Sequence, residues 1–144
     1  MGAALFSEAW ATELEHELAG DDDYRRAASG WNGSLLFVLE PDPARGFPEE
    51  RRLFLDLVHG SARAVRPALP DDPANARFRL AAPAAVWLEL LSGDLEPGAA
   101  VLSGRLRLER GSMFGLLPHL DAARRLLLCA CRVGFGTPAA PTRP

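Results

Sequence analysis

No lysine occurs anywhere in the chain: all 16 basic residues are arginine, set against 19 acidic residues for a formal net charge of -3. That gap removes the usual chemistry of a Schiff-base lysine or a phosphate-loop lysine. It also disfavours nucleic acid as a partner, because duplex binding draws on a basic face that displaces counterions, and this chain offers only local arginine pairs. Cysteine is scarce too. The two present, Cys129 and Cys131, fall on different faces of a helix and read as small apolar side chains or unreactive thiols. The first ten residues carry no basic stretch ahead of an apolar one, and no apolar run reaches membrane-spanning length. The expectation is a soluble, cytoplasmic protein with no integral membrane association.

Catalytic signatures are thin. His16, His59 and His119 fall on an exposed helix face, in a turn and at a helix start, and none sits in a motif with a recognisable partner. Asp56, between Leu55 and Leu57, reads as a polar residue pointing off the core or as a carboxylate bonded to a loop. Gly111-Ser112 and Gly134 to Gly136 lack the strand-to-helix setting of a phosphate loop. The run Asp21 to Asp23 reads as a helix cap and a solvated face, with no histidine at ligand spacing beside it. No metal site and no cofactor is implied.

What the chain does have is enough apolar side chain for one core: 144 residues, 48% hydrophobic and 24% charged, with residues 1–133 forming a single domain and 134–144 a proline-rich tail. Phe6, Trp10, Leu14 and Leu18 recur at four-residue steps and predict an amphipathic helix, capped by Ser7 and stopped at Gly20. Asp21 to Asp23 caps a second short helix from Tyr24 to Ser29. After Gly30 the pattern turns to extended chain. Ser34 to Glu40 predicts a strand buried on both faces, and Pro41 to Glu50 a surface loop. Leu53 to Val58 and Ala62 to Arg66 predict two antiparallel strands around the turn His59-Gly60-Ser61. Beyond the break at Pro67 to Pro73, Arg77 to Leu80 predicts a fourth strand, and Ala82 to Leu91 a helix ending at Gly93. Glu96 to Leu102 reads as a short helix, and the chain from Gly104 to Glu109 as a fifth strand. Everything from Met113 to Gly134 reads as helix.

The chain's excess is apolar side chain on short helices broken by Gly93, Pro97, Gly104 and Gly115. Such helices form a poor close-packed layer and a plausible roof over a cavity. The order Trp31-x-Gly33-x-x-x-Phe37-x-Leu39, Leu55-Asp56-Leu57-x-x-Gly60, Ala76-x-Phe78-x-Leu80, Trp87-x-x-Leu90-Leu91-x-Gly93-x-Leu95-x-Pro97, Gly104-Arg105-Leu106-x-Leu108 and Gly111 resembles the sterol carrier protein 2 family of lipid-binding domains. The most specific block is Trp87 to Gly111. This resemblance implies an α+β fold, a five-stranded, mixed, mostly antiparallel sheet covered on one face by helices. It further implies a hydrophobic tunnel between sheet and helices for fatty acid, fatty acyl-CoA or sterol.

The leading expectation is therefore a non-catalytic lipid carrier, with Phe78, Leu80, Trp87, Leu91, Leu102, Met113 and Leu117 around the ligand and Arg77, Arg79 and Arg105 as head-group candidates. The partner would be a lipid or acyl-chain ligand, bound by a monomer or a homodimer. The alternative is a closed interaction or regulatory module that works through a surface patch, and an acyl-group enzyme is a third. A continuous apolar pocket of several hundred Å³ separates the carrier from the closed module, which leaves only small voids beneath Trp87.

Overall fold

The computed structural model describes residues 4–134. Helix α1 (Glu8–Ala19) starts where Ser7 Oγ accepts a hydrogen bond from the Trp10 backbone N–H at 3.2 Å, and it buries Trp10, Leu14 and Leu18. In α2 (Asp22–Ala27) the cap is Asp21, whose carboxylate accepts from the Tyr24 N–H at 2.8 Å. Both caps satisfy N–H groups that a helix start leaves without partners.

Strand β1 (Asn32–Glu40) lies at the centre of the sheet, antiparallel to β2 (Arg51–Val58) and parallel to β4 (Phe78–Pro83). With β3 (Ser61–Pro67) and β5 (Arg107–Arg110) at the edges, the strand order is β3-β2-β1-β4-β5, a five-stranded mixed sheet in an α+β fold. The remaining helices are α3 (Asp72–Asn75), α4 (Ala84–Ser92), α5 (Pro97–Leu102), α6 (Met113–Leu116) and α7 (Leu120–Val133).

Strand parity sorts the sheet's side chains, because successive residues point to opposite faces. Leu35, Phe37 and Leu39 of β1, with Leu53, Leu55, Leu57, Phe78 and Leu80, belong to the main core under the helices. Leu36 and Val38 join Phe54, Ala76 and Ala81 in a smaller cluster on the other face. There the Arg66 guanidinium lies over the Phe54 ring, 4.7 Å from its centroid. β1 is thus buried on both sides, under the main helices on one and by the Phe54 cluster, which includes Ala76 at the end of α3, on the other.

Four local readings differ from the sequence expectation. Pairing of Ala81, Ala82 and Pro83 with Val38, Leu39 and Glu40 keeps the chain in β4, so α4 begins at Ala84 rather than Ala82. β5 begins at Arg107 because the Leu106 N–H is taken by the Ala100 carbonyl at 3.0 Å. The helix expected from Met113 is broken into α6, a 3₁₀ turn at Leu117–His119 and α7, since Pro118 offers no N–H and restricts the residue before it. The loop after β1 is pinned: Asp42 bridges to Phe47, and Phe47 is fully buried. Residues 135–144 of the expected tail lie outside the described residues.

Candidate functional site

Between the sheet and the helices lies an apolar cavity of about 100 Å³. Leu35, Phe37, Leu57 and Leu80 of the sheet form its floor. Tyr24, Ala28 and Trp31 wall one side, and Trp87 and Leu90 of α4 another. Pro97, Gly98 and Val101 of α5, with Met113, Leu116 and Leu117, roof it. α7 contributes Leu120, Ala122, Ala123, Leu126 and Leu127, and His119 precedes it. Small residues, Gly98, Ala28, Ala122 and Ala123, make up part of its wall. α5 and α6, of 6 and 4 residues, are too short to lay a continuous apolar stripe over it.

Of the residues anticipated around the ligand, Leu80, Trp87, Met113 and Leu117 stand on this wall. Phe78 is buried beside it, 5.3 Å from the Trp31 ring and beneath Gly111, where an added Cβ would meet its Cδ1 at 2.2 Å. That close approach, with Gly111 at φ +95, is why glycine stands at the end of β5. Leu91 is buried in the core off the wall, because Trp87 and Leu90 take the cavity side of α4. Leu102 is 75% exposed at the end of α5, where its neighbour Val101 turns inward instead.

The three head-group candidates lie off the wall and are already engaged. Strand alternation turns Phe78 and Leu80 toward the helices and so turns Arg77 and Arg79 away from them. Arg77 donates to the Asn32 carbonyl and lies over the Phe78 ring at 5.3 Å, while Arg79 Nε is 3.1 Å from Glu109 Oε1. Arg105 donates to Glu89 at 2.6 Å.

Sequence reasoning missed Tyr24, Trp31, Leu90, Val101, His119 and the whole of the α7 wall. The wall's indoles are tied to the backbone: Trp31 and Trp87 donate to the Gly33 and Val38 carbonyls, each at 3.0 Å. His119 meets Trp31 edge-on, with ring centroids 4.9 Å apart. Behind the wall, Asp21 joins α2 to α7. Its carboxylate accepts from Arg125 Nε at 3.1 Å, from Arg132 at 2.8 Å and from the Cys129 thiol at 3.2 Å. Burial alone raises the Asp21 carboxyl, but these donors and the Tyr24 N–H outweigh it and hold the group well below the usual carboxylate range. Cys129 is pushed the other way, up to about 12, by burial and by its bond to Asp21. It is a buried, neutral thiol, and Cys131 is exposed.

Comparison with known proteins agrees with this architecture. Residues 13–116 match the model of the SCP-2 sterol transfer family. A crystal structure of sterol carrier protein 2 superposes with a TM-score of 0.82 at 40% identity, covering 90% of this chain and 99% of that one. A conserved hypothetical protein from Thermus thermophilus, solved in solution and described as possibly a sterol carrier protein, gives a TM-score of 0.81 at 39% identity, covering 94% of this chain and 95% of that one. The apo sterol carrier protein 2 of Yarrowia lipolytica shares the fold, with a TM-score of 0.59 at 16% identity over 87% of this chain and 92% of its own. No curated protein matches the sequence. The family model spans most of the chain, and two relatives near 40% identity superpose on at least nine-tenths of it: this protein belongs to the SCP-2 sterol transfer family.

Proposed function

We propose that this chain is a non-catalytic carrier that takes an acyl chain or a similarly apolar molecule into the cavity between its sheet and helices, in a cytoplasmic setting. The observation that carries the reading is the cavity itself, floored by Leu35, Phe37 and Leu80 and roofed by short helices, in a chain of the sterol transfer family. The driving force is burial of hydrocarbon. About ten methylenes at roughly 0.8 kcal/mol each supply ~8 kcal/mol, the scale of micromolar affinity before the costs of association and rearrangement.

At about 100 Å³ the cavity is smaller than the ~300–1,000 Å³ of most ligand pockets, so a chain of that length has to lift part of the wall. The yielding part is the roof of α5, α6 and the 3₁₀ turn, where Leu102 and Phe114 are 75% and 86% exposed and make little core contact. The small volume is also the one observation favouring a closed interaction module. Native mass spectrometry of freshly purified protein, paired with titration of a fluorescent fatty acid, separates the two. The carrier shows a bound mass or saturable binding that alters Trp31 and Trp87 emission. Neither signal appearing would leave the closed module.

A further inference from the structure

Four side chains on the cavity wall carry an N–H or O–H group, and the fold uses two of them: the indoles of Trp31 and Trp87 donate to backbone carbonyls. Tyr24 and His119 differ. Tyr24 is 1% exposed, and its backbone N–H and carbonyl are both bonded, yet its hydroxyl makes no hydrogen bond with any described residue. The His119 ring touches the edge of Trp31 and has no hydrogen-bond partner among the described residues. The hydroxyl is not sealed off, since it keeps some accessible surface on a cavity that Tyr24 lines, and in so apolar a space it gains from any oxygen that enters.

The two groups also differ in depth. Tyr24 sits where α2 meets the later turns of α7, through the shared carboxylate of Asp21 and the Cys129 thiol. His119 lies at the start of α7, half-buried beside Leu117, which is 42% exposed. Between them Ala122, Ala123 and Leu126 line the cavity, a run of roughly 10 Å at 1.5 Å per residue. One end is enclosed and the other meets solvent.

We propose that the cavity selects an apolar ligand bearing an oxygen at the end that enters first, hydrogen-bonded there by the Tyr24 hydroxyl, with any acid group left at the His119 rim. A carboxylate is too expensive to bury unpaired and stays outside, whereas an alcohol or carbonyl can both fill the enclosed end and give the phenol its partner. Burial pushes the Tyr24 phenol up to about 12, so it is neutral and able to donate and to accept. This inference rests on the carrier reading and adds the ligand class to it.

The test compares decanoic acid with 10-hydroxydecanoic acid, each displacing a fluorescent fatty acid from the wild-type protein and from Tyr24→Phe. The wild type should bind the hydroxy acid at least as tightly as the plain acid. Tyr24→Phe should weaken the hydroxy acid about tenfold more than it weakens the plain acid. Equal effects on both ligands, or none, would overturn the inference while leaving the carrier reading intact. So would a tenfold preference of the wild type for the plain acid, a result that needs no variant. Failure of the wild type to bind either acid removes both.

Discussion

Asp21 gathers four donors from two helices onto one carboxylate that is 5% exposed. Removing its charge strands Arg125 and Arg132 at the α2–α7 junction. Asp21→Asn should cost about 3 kcal/mol, discounted from the upper range for buried ion pairs because both arginines are partly solvated. Urea unfolding measures it, and a loss below ~1 kcal/mol would show that solvent already screens the cluster. Gly60 is constrained differently: at φ +87, an added Cβ would lie 2.6 Å from the Arg25 carbonyl oxygen. Gly60→Ala combines left-handed strain with a backbone clash and should destabilise by about 2 kcal/mol or more. Thermal melts of the variant against wild type check this. The sequence marked Gly60 as turn chemistry, but its contact with α2 joins residues far apart in the chain and left no local trace.

Among the elements, those set by local signals were legible and those set by contact were not. Ser7 and Asp21 announced α1 and α2 through their side chains, an apolar run announced β1, alternation announced β2, and the turn at His59 to Ser61 announced β3. The same alternation carried the information that Arg77 and Arg79 oppose Phe78 and Leu80. For α7 the apolar stripe was visible, but which of its residues face a void was not, since that depends on Leu80 and Trp87 across the gap. Ala122 gives the element its test. It is 8% exposed on the cavity wall, and Ala122→Leu would fill much of a space of about 100 Å³. The variant should hold or raise its melting temperature, since it closes a void, and weaken fatty-acid binding at least tenfold. Unaltered affinity in a folded variant would place the ligand elsewhere.

For the molecule as a whole, stability should fall off on both sides of neutral pH. Arg66 first, against burial, and then the Leu69 N–H hold the Asp72 carboxyl below its ordinary 3.8, and Asp21 is depressed as well. Groups lowered in the folded state contribute stability that is complete above about pH 4 and lost as pH falls through their folded values. Cys129 and Tyr24 are raised by burial from 9.0 and 10.0 to about 12. Their contribution is complete below pH 9 and lost as pH climbs toward 12. Melting temperatures from pH 2 to pH 12 should trace a plateau with both shoulders, and Cys129→Ala should soften the alkaline one. A flat alkaline limb would mean that the thiol and the phenol are more accessible than their burial indicates.

Caps, alternation and four-residue apolar steps act between residues a few positions apart, so the α+β order of elements and the family pattern from Trp31 to Gly111 could be read from the chain alone. The hollow is another matter. Its wall draws Tyr24, Leu35, Leu80, Trp87, Met113 and Leu126 from six separate elements, and its size is what remains when their side chains fail to meet. That residue of imperfect packing, and the Tyr24 hydroxyl left without a partner among the described residues beside it, come into being only when distant segments are brought together.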